Sequence, residues 1–374
     1  MKKFALLAAT MLLTQSAFAQ SSDLDKIPEL PYDSEIVVSN LNMPLNVHLG
    51  EVAAVSTDSK GNIYVYSRTG GQGDIEYRRA AQLYEFAPDG TFMREIGGPN
   101  NAVMAWAHSV RIDPEDNIWI VDNGTNLISK WDQQGRLILT LGRRSEAHMG
   151  FLSHLDEKTG DISTIGKSDT YNFRNNEGMF WEPTDIAFDS KGNLFISDGY
   201  KNSQVQKFTK DGEFITRWGT RGTGPGQFNT PHGVAIGPND DVYVADRSNN
   251  RVQVFDNNGK FLREIKLDLR YPKDVKLKTP GLGKDQEGRW RSLWPNSICI
   301  SKGPNPVMYT NDITPSVVIK MSLDGKVIGR VGSEGRKKGQ FGWMHEMACG
   351  KGDNEVYVSE MINMRVQKVT IRQK

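Results

Sequence analysis

The chain has 374 residues, enough for one large domain or two ordinary ones. Its 46 Lys and Arg nearly balance 45 Asp and Glu, for a net charge of +1. Such balance gives no electrostatic reason to expect nucleic acid or an anionic membrane as a partner.

The first 19 residues read as a secretory signal and not as part of the fold. Lys2 and Lys3 form a basic start, Phe4 to Leu13 a short apolar run, and Ala17-Phe18-Ala19 an A-x-A cleavage site. The run is too short for a lasting bilayer anchor. Cleavage would leave a chain starting at Gln20 with 44 basic and 45 acidic residues, a net charge of −1. Export to the periplasm or the medium is therefore expected, with no membrane span later in the chain.

Residues 20–50 read as an irregular arm containing one strand, 34–39. From 51 to 374 one pattern recurs six times, at about 51–97, 107–142, 183–219, 231–265, 295–332 and 344–371. Each copy has a short apolar strand, a Ser-Lys-Gly-Asn type turn and an aromatic strand such as Asn62-Ile63-Tyr64-Val65-Tyr66. A third strand, an Asp-Gly turn and a fourth strand follow. Four short strands per repeat predict an all-β, six-bladed β-propeller. The sixth copy lacks its fourth strand. The early strand 34–39 is expected to supply it and close the ring, removing the exposed edge.

Two long connections, 143–182 and 266–294, interrupt the rhythm and are expected on the face where the inner strands begin. Cys299 and Cys349 fall one position out of step on neighbouring inner strands, which aims them at opposite faces. Two separate small buried residues are expected, with a disulfide permitted in an oxidising compartment but not implied.

Aligning the copies on the first position of the inner strand gives Ala53, His108, Thr184, His232, Asn296 and His345. Three of the chain's six histidines thus occupy alternate copies. In a six-bladed ring these converge on the axis from three directions. Three imidazoles with open positions beside them suit a transition metal, and zinc first, because no carboxylate joins the set. Aligning on the end of the second strand gives Arg68, Asn123, Gly199 (followed by Tyr200) and Arg247 in the first four copies. Antiparallel pairing puts these ends level with the inner-strand starts, so Arg68, Tyr200 and Arg247 should face the metal. Two guanidiniums would stabilise a phenolate and bind a substrate carboxylate.

With these residues the chain resembles NHL-repeat propellers, and among them the lyase domain of peptidylglycine α-amidating enzyme. The matching stretches are Ala107-His108-Ser109, Pro231-His232-Gly233, Met344-His345-Glu346, Asp198-Gly199-Tyr200-Lys201, Tyr66-Ser67-Arg68 and Ala245-Asp246-Arg247. The resemblance implies a zinc on His108, His232 and His345, a catalytic Tyr200, and functional arginines at 68 and 247. It implies cleavage of a peptidyl-α-hydroxyglycine to a peptide amide and glyoxylate. It also implies a structural calcium on the carbonyls of Val55 and Val110 and the carboxylate at 346, where Glu346 stands in place of the family's aspartate. A zinc-dependent hydrolase on the same scaffold, or a non-catalytic NHL binding module, are the alternative readings. The expected partner is a small molecule or peptide bearing a carboxylate, and the expected state a monomer.

Overall fold

A computed structural model describes residues 22–69, 81–98, 101–143, 177–270, 292–313 and 316–372. The expected leader 1–19 and most of the connections 143–182 and 266–294, with Phe151, His154, Tyr171, Phe173, Tyr271 and Trp290, lie outside them. Among the described residues no helix is long and apolar enough to cross a membrane.

The fold is all-β. Six four-stranded antiparallel sheets follow one another along the chain. The first runs outward from Glu51–Thr57 through Ile63–Arg68 and Ala81–Phe86 to Phe92–Ile96. The inner strands of the next five are Ala107–Ile112, Asp185–Phe188, Pro231–Ile236, Ile298–Ile300 and Met344–Cys349. In blades one to three the inner strand is followed by a tight turn built by an aspartate. Asp58, Asp113 and Asp189 each accept the backbone N–H of the residue four positions on, an asparagine. The asparagine amide returns a second bond to the same carboxylate. The side chain therefore replaces backbone pairing and fixes the turn.

A single four-stranded sheet cannot bury both faces. Here six apolar clusters fill the six gaps between neighbouring blades, including the gap from blade six to blade one. In that last gap Tyr357 and Val366 pack with Val52, Ile63 and Val65. The outer strand of blade six is Tyr32–Val38, paired antiparallel with Arg365–Ile371. The ring is thus closed by the two ends of the propeller, as the missing fourth strand required.

One expectation is corrected. Cys299 and Cys349 form a disulfide. They are indeed out of step: Cys299 pairs with Tyr309 in blade five, Cys349 with Val356 in blade six. But neighbouring inner strands belong to different sheets, stacked face to face. Opposite faces on adjacent blades look at each other, and both cysteines enter the cluster between blades five and six.

Candidate metal centre and pocket

The histidine-bearing strands share a defect that the repeat pattern does not reveal. Pairing to the second strand slips by one residue between Ala107 and Ser109, between Pro231 and Gly233, and between Met344 and Met347. A bulge leaves its extra residue unpaired and re-aims its side chain. The residues at these bulges include His108, His232 and His345.

The three rings meet at the axis. Their centroids lie 4.7, 4.8 and 5.3 Å apart, and one ligating nitrogen from each falls within 4.8 Å of the others. All three are buried. Each Nδ1 sits against a backbone carbonyl: His108 against Thr184 at 2.6 Å, His232 against Asn296 at 2.7 Å, His345 against Ala53 at 2.8 Å. A carbonyl only accepts, so Nδ1 carries the proton and Nε2 keeps its lone pair for a metal. Burial, reinforced by neighbouring rings and guanidiniums, pushes all three imidazoles well below the usual histidine range. The neutral, ligating form is favoured.

The Tyr200 hydroxyl lies 2.9 Å from His232 Nε2 and 3.3 Å from His108 Nε2. The Arg247 guanidinium stands over the Tyr200 ring, 5.3 Å from its centroid. Arg68 is buried, donates from Nε to the Ala107 carbonyl at 2.7 Å and stacks on Trp106 at 4.6 Å. Its burial lowers it from the normal guanidinium range, opposed by Tyr200 and Glu51. Arg68, Tyr200, Arg247, His108 and His345 line one cavity of about 160 Å3, so all three side chains expected on the metal face reach it.

A protein-family profile for a six-bladed β-propeller, DUF5128, matches residues 179–280.

The chain is a six-bladed, NHL-like β-propeller.

Over 288 residues the propeller is 30% identical to a peptidyl-glycine alpha-amidating monooxygenase of Mus musculus, an alignment covering 71% of this chain and 27% of the mouse protein. Over 353 residues it is 26% identical to peptidyl-alpha-hydroxyglycine alpha-amidating lyase 1 of Drosophila melanogaster, covering 87% of this chain and 58% of the fly protein. It therefore spans less than two thirds of either relative. A gluconolactonase structure from Xanthomonas campestris has a TM-score of 0.57, at 11% identity, over 94% of this chain and 97% of that one. That likeness concerns the fold.

The cavity holds residues that the alignment on strand ends did not reach. Ile313 and Met361 occupy the place of Arg247 in blades five and six, directly after Asp312 and Glu360. Trp106, Glu182 and Trp343 each sit two residues before the first inner-strand position of their blades and also line it. In blades two to six an acid at the end of the second strand holds this lead-in. Asp122 accepts the N–H of Trp106, Asp198 that of Trp181, Asp312 that of Trp294 and Glu360 that of Gly342. Carrying the register through all six copies would have found these residues.

The groups expected to ligate calcium stand beside an arginine. Arg111 Nη1 donates to Glu346 Oε2 at 3.0 Å and to the Val110 carbonyl at 3.2 Å, while its Nη2 donates to Asp185 Oδ2 at 3.0 Å. Glu346 and Asp185 are fully buried. Two of the three groups expected to ligate calcium, Val110 and Glu346, thus each accept from this guanidinium, while Glu346 Oε1 is buried and has no hydrogen-bond partner. Val55 is buried beside them in the neighbouring inner strand.

Proposed function

We propose that this propeller is a zinc-dependent lyase that cleaves the C–N bond of a peptidyl-α-hydroxyglycine-like carbinolamide, releasing an amide and glyoxylate. The observation that carries the reading is the Tyr200 oxygen held within 3.3 Å of two of three converging imidazole nitrogens. The donor set fits zinc: three neutral imidazoles with Nδ1 committed to carbonyls, and no carboxylate in the group among the described residues. When bound on His108, His232 and His345, zinc supplies Lewis-acid polarisation of the substrate oxygen and a lower hydroxyl pKa.

The chain's own groups do the rest. Tyr200 takes the proton of the carbinol hydroxyl. The freed electron pair forms the aldehyde C=O as the C–N bond breaks. The departing nitrogen keeps the bonding pair and receives the proton back from Tyr200, leaving a primary amide. Arg68 and Arg247 bind the carboxylate of the glyoxylate-forming unit and offset negative charge on the tyrosine oxygen.

The test is glyoxylate release from α-hydroxyhippurate. A Tyr200→Phe or His232→Ala protein that kept the full rate would overturn the reading. Turnover of esters or lactones without glyoxylate would instead mark a zinc hydrolase. We further place the protein outside the cytoplasm, as a monomer. The disulfide supports an oxidising compartment, and N-terminal sequencing of the exported chain should begin at Gln20.

A further inference from the structure

The cavity is chemically lopsided. At the strand-end position, blades one to four carry Arg68, Asn123, Gly199 with Tyr200, and Arg247, whereas blades five and six carry Ile313 and Met361. At the lead-in position blades one and three bring the carboxylates Glu51 and Glu182, while blades five and six bring Trp294 and Trp343. In neither position do blades five and six offer a charge. Among the described residues, the cavity lining between the two arginine-bearing blades, four and one, is thus an apolar arc of Ile313, Trp343 and Met361 beside His345.

The arc is built, not incidental. Trp343 has φ of 49°, in the left-handed region that bulky residues avoid. Glu182 and Thr230 share that conformation at the same lead-in position, with φ of 56° and 61°. The Trp343 carbonyl accepts the N–H of Met361 at 3.0 Å, tying the two pocket residues of blade six together. Trp294 lies under the Arg247 guanidinium, 5.9 Å from it. Beyond Met361 the same loop exposes Ile362 and Met364, at 43% and 41%, so the apolar surface continues outward from the cavity.

We propose that blades five and six form the subsite for the acyl side of the substrate, and that this acyl group is apolar, either a hydrophobic residue or a short fatty or aromatic acyl chain. The proposal rests on the lyase reading for which end of the substrate is which. With the carboxylate taken by guanidiniums on blades one and four, Ile313, Trp343 and Met361 are, among the described residues, the apolar surface between those blades for the group on the amide nitrogen. Burying an apolar chain there is favourable by roughly 0.8 kcal/mol per methylene, about fourfold in affinity.

N-acylglycines carry the carboxylate and the acyl group but lack the hydroxyl, so they bind without reacting. Their dissociation constants, measured by calorimetry on the full chain with and without zinc, should fall at least about tenfold from N-acetylglycine to N-hexanoylglycine. Ile313→Asn and Met361→Gln should each shrink that ratio severalfold. Equal affinities across the series, a full ratio in both variants, or no binding of any N-acylglycine would overturn the subsite. Preferential binding of the longer chain without glyoxylate release from its α-hydroxy derivative would leave the subsite standing and remove the lyase reading. Glyoxylate release indifferent to the acyl group would do the reverse.

Discussion

The Nδ1 of His345 lies 2.8 Å from the carbonyl oxygen of Ala53, 292 residues earlier in the chain. The same bond joins His108 to Thr184 and His232 to Asn296. Every acceptor occupies the first inner-strand position of the blade that follows its histidine. The six positions around the axis thus alternate: one blade contributes an imidazole, and the next contributes the carbonyl that orients it. Closing blade six onto blade one completes the histidine cluster as well as the fold.

Purified protein should retain about one equivalent of zinc or another transition metal through gel filtration, and His232→Ala should lose it. Re-adding metal to depleted protein should raise its stability by about 2.7 kcal/mol at a hundredfold excess over the dissociation constant. Elemental analysis and thermal melts check both.

Arg111 bridges Asp185 of blade three and Glu346 of blade six from its own place in blade two. Arg111→Met should destabilise the protein by about 3–5 kcal/mol, because two buried carboxylates lose their cation. Adding calcium to wild-type protein should leave the melting temperature where it was. A clear calcium-dependent rise would show that the arginine does not replace the ion.

The disulfide closes a loop with a sequence separation of 50 residues and ties blade five to blade six. Cys299→Ser should cost up to about 4 kcal/mol if the loss of unfolded-state entropy dominates. Urea titrations of wild type and variant measure it, and the reduced wild type should match the variant.

Burial pushes the Asp198 carboxyl up to about 6, although Asn202, the Trp181 N–H, Gln204 and Gln206 pull it down. An unfolded aspartate titrates near about 3.9. The folded protein therefore holds this proton more tightly. The stabilising contribution is fully present below about 3.9 and is lost as pH rises through about 6. Between about pH 5 and about pH 7.5, wild type should lose roughly 1 kcal/mol more unfolding free energy than Asp198→Asn. Buried acceptor atoms without partners, Asn202 Oδ1 and Gln206 Oε1, sit on residues that contact this carboxyl and could take the added proton's bond after an amide flip.

The repeat pattern alone determined the blade count, the closing strand and the alternation of His108, His232 and His345. These follow from local periodicity, since a strand's side chains alternate with period two and each copy repeats the same turns. It also put Arg68, Tyr200 and Arg247 on the face of the histidine cluster, because antiparallel strands must meet end to end. Only the tertiary structure decided what depends on one sheet facing another. Cys299 and Cys349 meet because adjacent blades stack by opposite faces. Arg111 meets both Asp185 and Glu346 because three blades converge where its guanidinium ends. The bulges aim the imidazoles inward because an unpaired residue escapes the strand's alternation, and nothing in the sequence of His108 or its neighbours announces that slip.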